Sequence, residues 1–146
     1  MSYKLVAFDL DGTLMPRYKS IRPRVVDAVR AAEAAGVHIT IATGRMFSMV
    51  LPYAQQLGLT TPLISHHGAF IKSPVNGQVL FHQGVPLHLA REVISLARQR
   101  NLAVAAYIDD VVYTDRLQPD WPVYPWLVKV GARDVGDLAN FLQTEP

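Results

Sequence analysis

The 146-residue chain contains no cysteine, which removes disulfide frameworks and thiolate chemistry and leaves oxygen and imidazole groups to hold any metal. It also lacks a long apolar run. The longest uninterrupted one, Leu102 to Ile108, falls far short of the roughly 20 residues a bilayer span requires. The opening Met1-Ser2-Tyr3-Lys4 reaches Asp9 after only four apolar residues, so no signal-peptide core fits there, and a cytoplasmic protein without a membrane partner is expected. Charge of one sign is scarce as well. Fourteen Lys and Arg face 12 Asp and Glu, and the basic residues are spread out, so composition calls for no nucleic-acid partner. What remains is a chain that is 50% apolar, which excludes disorder and allows one ordinary domain or two very small ones. No internal repeat or low-complexity stretch is present.

The first third alternates short apolar runs with helical spacing, the pattern of β-α-β units around a parallel sheet. Leu5 to Phe8 reads as a buried first strand. Pro23 opens a helix with Val25, Val26, Val29, Ala32 and Ala35 on one face, and Gly36 is placed to end it. Val37 to Ala42 is the second strand, and the alternation of Val37, Ile39 and Ile41 with His38 and Thr40 predicts one wetter face. A second helix over Ser48 to Leu57 carries Pro52 in its expected first turn and stops at Gly58. Leu63-Ile64 follows as a third strand. Beyond it, Pro74-Val75-Asn76-Gly77 separates two apolar runs, a strong hairpin signal. A helix from Pro86 to about Arg100, a hairpin turning at Asp109-Asp110, and a short last helix N-capped by Asp134 complete the reading. The boundary is expected near Gly84-Val85-Pro86, giving segments 1–84 and 85–146.

The chemistry concentrates in Phe8-Asp9-Leu10-Asp11-Gly12-Thr13. Two carboxylates two residues apart, at the C-terminal end of a strand, lie where open α/β sheets place ligand crevices. Turn formation alone could use Asp-Gly, but a functional reading uses all four polar positions. One carboxylate can be a nucleophile that becomes phosphorylated. The second can serve as general acid and then base, a hard cation accepts such oxygen ligands, and Gly12 would let backbone N–H groups approach a phosphoryl oxygen.

Asp9-Leu10-Asp11-Gly12-Thr13-Leu14 resembles the first motif of the haloacid dehalogenase superfamily of phosphotransferases. Ala42-Thr43-Gly44-Arg45, ending the second strand, resembles the second motif in the form found in Cof-type phosphatases, which are similar to sugar phosphatases and phosphomannomutases. His67-Gly68-Ala69 stands where those enzymes usually have Asn-Gly-Ala. The resemblance implies an α/β fold, with an incomplete Rossmann-like parallel-sheet core in 1–84 and part of an α+β cap in 85–146. It implies that Asp9 attacks phosphorus and that Asp11 protonates the leaving group and then activates water. Asp9 and the backbone carbonyl of Asp11 would bind Mg²⁺. Gly12, Thr13, Thr43, Gly44 and Arg45 would surround the phosphoryl group of a small phosphorylated metabolite. Positioning and electrostatics dominate such transfers, because the three phosphoryl oxygens carry charge through the transition state.

Each outlying feature has a plainer reading beside the functional one. Thr43 could simply cap a strand end, and Arg45 could be a surface charge or a phosphate contact. His66 and His67 would point to opposite faces if extended, which argues against a shared metal site. Arg17, Lys19, Arg22 and Arg24 form a basic loop that is either solvated or a positive rim for anionic substrates. Pro119 to Trp126 is stiffened by three prolines and carries three aromatics, suited to local packing, a cap surface or a partner contact. Asp109 and Asp110 are turn residues ahead of metal ligands.

The same resemblance implies two further elements that the chain does not display: a lysine balancing the charge of nucleophile and phosphate, and a Gly-Asp-like acidic motif completing the Mg²⁺ site. None of Lys4, Lys19, Lys72 and Lys129 follows the pattern, and Thr144-Glu145-Pro146 falls inside what resembles the cap. A truncated chain with depressed activity is therefore expected, with Leu5 to Phe8 as a bare sheet edge that invites self-association. The alternatives are a non-catalytic phosphate-binding or interaction module and a sugar phosphomutase.

Overall fold

The computed structural model describes residues 3–16, 20–115, 117–120, 122–143 and 146. The chain is mixed α/β, and it divides into two compact units, Met1–Gln83 and Gly84–Pro146.

In the first unit, β1 (Leu5–Phe8), α1 (Pro23–Ala34) and β2 (His38–Ile41) form a β-α-β crossover, with β1 and β2 parallel and Phe8 opposite Ile41. Proline suits the first helical position because its missing N–H would have no partner there, and Pro23 begins α1. α2 (Phe47–Leu57) ends at Gly58, whose φ of 79° permits the left-handed close that returns amides to the carbonyls of Ala54 and Gln55. Pro52 lies in the second turn of α2, one turn deeper than its spacing predicted, because the helix already starts at Phe47. A parallel bridge between Ala42 and Ile64 joins β2 to β3 (Leu63–Ser65). From there β4 (Phe70–Lys72) and β5 (Val79–His82) continue as an antiparallel meander.

Two expectations about strand burial need correction. β1 is not buried: Leu5 is 57% exposed, and Val6 and Phe8 are half-buried, because among the described residues only β2 pairs with it. The predicted wet face of β2 is wet only at His38, because Thr40 is buried and its Oγ1 donates to the Pro62 carbonyl at 2.6 Å. A threonine hydroxyl with a fixed carbonyl partner can occupy a core position. The core gathers Leu10, Met15, Val29, Ile39, Val50 and Leu63 beneath the sheet ends. A mainly apolar groove of about 470 Å³, lined by Val6, Phe8, Val25 and Val29, runs between β1 and α1.

The second unit packs α3 (Leu87–Gln99) against the hairpin β6 (Ala105–Ile108) and β7 (Val111–Thr114), whose turn places Asp109 and Asp110 at φ 49° and 61°. These are the angles of a tight primed turn, the type that matches the twist of a hairpin. α4 (Tyr124–Lys129) occupies the end of the Pro-rich segment, where a helix had not been expected; Trp121 lies outside the described residues. Asp134 does not cap the last helix. It lies in β8 (Arg133–Asp134), and its carboxylate accepts from the amides of Leu117 and Gly136. The cap of α5 (Leu138–Phe141) is Asp137, which accepts the Asn140 amide at 3.1 Å. Gly136, at φ 70°, turns the chain between the two aspartates and shifts the helix start by three residues. No helix among the described residues is long and apolar enough to cross a membrane.

Candidate active site

β1 and β2 deliver the two motifs side by side. The Ala42 amide donates to the Phe8 carbonyl at 2.9 Å, so the chain leaves the two parallel strands at Asp9 and Thr43 from adjacent positions. After β1 the backbone winds tightly, with the Leu14 amide on the Asp9 carbonyl and the Met15 amide on that of Leu10. Leu10, Leu14 and Met15 are buried, and this anchoring turns the alternate residues outward: Asp9, Gly12 and Thr13 are exposed and Asp11 is half-buried. Gly12 adopts φ 85°, a backbone conformation that side chains disfavour. Its N–H donates to the Met15 carbonyl at 2.8 Å, which closes the turn.

Asp9 Oδ2 accepts the Thr13 hydroxyl at 3.3 Å, which orients the carboxylate and leaves lone pairs toward solvent. Asp11 has a stronger partner. Arg45 Nε and Nη2 donate to its two oxygens at 2.7 and 2.5 Å, the two-pronged geometry in which guanidinium recognises carboxylate best. Arg45 is itself steadied by the Tyr53 ring of α2, with its guanidinium carbon 5.6 Å from the ring centre. The Asp11 hydrogen bonds raise the Arg45 pKa above its ordinary value despite the opposing effect of burial. In the structure Arg45 thus contacts the expected general acid.

Thr43 is buried. Its amide donates to Ile64, its carbonyl accepts the His67 amide, and its hydroxyl accepts the Arg45 amide at 3.3 Å. Among the described residues the hydroxyl proton has no acceptor. Gly44 is exposed, and its lack of a side chain has a steric reason: a Cβ there would overlap Cε1 and Nε2 of the His67 ring. His66 and His67 are not extended. Both adopt left-handed angles, φ 49° and 55°, within a 3-10 turn spanning His66–Gly68, so the face argument that separated them does not apply. The Tyr53 and His67 placements were not legible beforehand, since each depends on packing between elements distant in sequence.

Asp9 supplies a hard, exposed oxygen donor suited to Mg²⁺, and the Asp11 main-chain carbonyl is the expected second. Among the described residues no cluster of three or more His, Asp or Glu converges. Lys72 lies over the rings of Phe47 and Phe70, at 4.8 and 5.9 Å from their centres. Arg17 and Lys19, in the expected basic rim, lie outside the described residues, while Arg22 precedes α1 as its cap.

A family model for haloacid dehalogenase-like hydrolases matches residues 6–124. The chain belongs to that family. Among curated haloacid dehalogenase-like relatives, it is 31% identical over 112 residues to the 5-amino-6-(5-phospho-D-ribitylamino)uracil phosphatase YitU of Bacillus subtilis, covering 75% of this chain and 42% of that protein. It is 30% identical to the pyridoxal phosphate phosphatase YbhA of Escherichia coli, covering 77% and 41%. It is 33% identical to the HMP-PP phosphatase of Yersinia pestis, covering 81% and 43%. The chain therefore spans about two fifths of the length of these relatives. A haloacid dehalogenase-like hydrolase of Bacteroides thetaiotaomicron shares the fold at a TM-score of 0.82 and 24% identity, covering 99% of this chain and 56% of that one. A Thermotoga maritima crystal structure superposes at 0.77 and 26% identity, covering 96% and 52%.

Proposed function

We propose that the chain carries the nucleophile of a Mg²⁺-dependent phosphoric monoester hydrolase of Cof type, acting in the cytoplasm on a small phosphorylated metabolite. The observation that carries this reading is the exposure of Asp9 at the end of β1, beside Thr43 and Gly44 at the end of β2. An Asp9 oxygen attacks phosphorus, the ester P–O bond breaks, and Asp11 gives its proton to the departing oxygen. Asp11 then takes a proton from water as that water attacks the phosphorus of the aspartyl-phosphate, which releases phosphate and restores Asp9. Mg²⁺, held by Asp9 and the Asp11 carbonyl, would neutralise phosphoryl charge. Thr43 donates its hydroxyl proton, and Gly44 its N–H, to phosphoryl oxygens. Residues 1–84 act as the core and 85–146 as part of a cap. Two relatives are named for small phosphorylated compounds, a phospho-ribitylamino uracil and pyridoxal phosphate, which supports the substrate class.

One observation favours a second reading. The Arg45 guanidinium engages both Asp11 oxygens, whereas proton transfer needs one of them turned to the leaving group, so a chain that binds phosphate without turning it over also fits. Phosphate release from an aryl phosphate in the presence of Mg²⁺, abolished by Asp9→Asn, supports the hydrolase. Binding of inorganic phosphate without release supports the module, and transfer between sugar positions would indicate a mutase.

We also propose self-association through β1, whose outer edge is unpaired among the described residues and which, with the neighbouring apolar groove, favours a second copy. Sedimentation should show a mass that rises with concentration, and Val6→Lys should restore the monomer. A concentration-independent monomer in the unaltered chain would count against the proposal.

A further inference from the structure

We infer that His67 is a ligand-contacting residue of the phosphate site, donating a ring N–H to an oxygen of the bound phosphoryl group; this rests on the hydrolase reading above and names a group that the reading does not use. The first support is steric. The His67 imidazole lies so close over Gly44 that a single added carbon would overlap Cε1 and Nε2. The ring therefore lies against the same residue whose N–H is assigned to the phosphoryl group.

The second support is conformational. His66 and His67 both hold left-handed angles, although neither is glycine. Consecutive residues in that region persist only when their surroundings enforce it, and such positions concentrate at ligand sites. Here the enforcement is visible. The His66 amide donates to the Arg45 carbonyl at 3.0 Å and the His67 amide to that of Thr43 at 3.1 Å, while the Thr43 amide donates to Ile64. These three hydrogen bonds clamp the turn to the second motif and hold the backbone that carries the ring. The third support is access. His67 is exposed, and among the described residues its ring nitrogens have no hydrogen-bond partner, so nothing in the fold consumes them. An imidazole held rigidly beside an anion site, with an open N–H, meets the geometric requirement for preorganised recognition.

The test is a titration of the 146-residue chain with inorganic phosphate and Mg²⁺ at fixed pH, reading the Gly44 amide and the His67 ring C–H by NMR. Both signals should move along one saturation curve. His67→Ala should weaken phosphate about tenfold, the loss expected for one hydrogen bond to a charged group, while the Gly44 amide still responds. His67→Asn provides a second variant that tolerates the left-handed backbone, and it should recover part of the affinity through its amide donor. If the Gly44 amide saturates while His67 stays still, or if both variants bind as the parent does, this inference fails and the hydrolase reading stands. If phosphate moves neither signal, both fall together.

Discussion

Each unit of the chain contains an arginine that grips an aspartate with two nitrogens, and the two pairs differ in what else the carboxylate does. Arg98 Nε and Nη2 reach Asp115 at 2.6 and 2.9 Å, much as Arg45 reaches Asp11. Asp115 is only 6% exposed, and one of its oxygens also accepts the Leu138 amide at 2.7 Å. Arg98 in turn holds Asp137. Asp11 is 30% exposed, and Arg45 is its one side-chain partner among the described residues. The geometry of the grip is therefore not diagnostic of a functional site. Access and the number of further partners separate the two: Asp115 is committed to holding α5 beside β7, while Asp11 keeps a face open to solvent.

The largest expected contrast follows from removing each arginine. Arg98→Met leaves a buried carboxylate without its counter-charge and should destabilise the second unit by about 3 kcal/mol or more. Arg45→Met exposes Asp11 to water, which solvates it, and should cost the first unit no more than about 1 kcal/mol. Urea unfolding followed through amide signals of each unit separates the two effects, and equal losses would erase the distinction.

Acid should sharpen the same contrast. Burial alone would raise the Asp115 pKa, but the Arg98 hydrogen bonds and the Leu138 amide outweigh it and hold it below its ordinary value. Asp137 is also lowered, chiefly by Arg98 and then by the Asn140 amide. A carboxyl with a depressed folded-state pKa stabilises the fold above its unfolded value, near 3.9, and loses that contribution as pH falls through the folded value. The second unit should therefore keep its full stability down to about pH 4 and lose it progressively below. In Asp115→Asn, the remaining acid dependence should be shallower.

The first third of the fold was legible because its punctuation is local. Pro23, Gly36 and Gly58 act through the conformations of their own residues, and they mark helix ends in the structure as they do in the sequence. The acidic pair was legible for the same reason, since Asp9 and Asp11 need only a strand end and the buried anchor of Leu10 between them to face outward. What could not be read is non-local. Arg45 and Asp11 are 34 positions apart, and no periodicity links them. The cap of α5 moved from Asp134 to Asp137 because Gly136 and β8 changed the path between two equally suitable residues. α4 was hidden by prolines, which mark rigid loops and helix starts alike: Pro125 lies in the first turn of the helix.

The smallest expected effect concerns the two left-handed pairs, His66-His67 in the first unit and Asp109-Asp110 in the second. The hairpin needs positive φ only to turn, and glycine meets that need without a Cβ penalty. Asp109→Gly should therefore raise the stability of the second unit by about 0.5–1 kcal/mol, measured as a shift of the urea midpoint. His66→Gly relieves the same kind of strain but gives up the edge-on contact of its ring with Phe70, so its stabilisation should be smaller. There the gain has a counterpart, because a glycine loosens the turn that presses the neighbouring ring against Gly44. Tighter folding together with weaker phosphate binding is the expected signature of strain held for a ligand. Tighter folding with unchanged binding would place His66 with Asp109, as a residue that serves the turn.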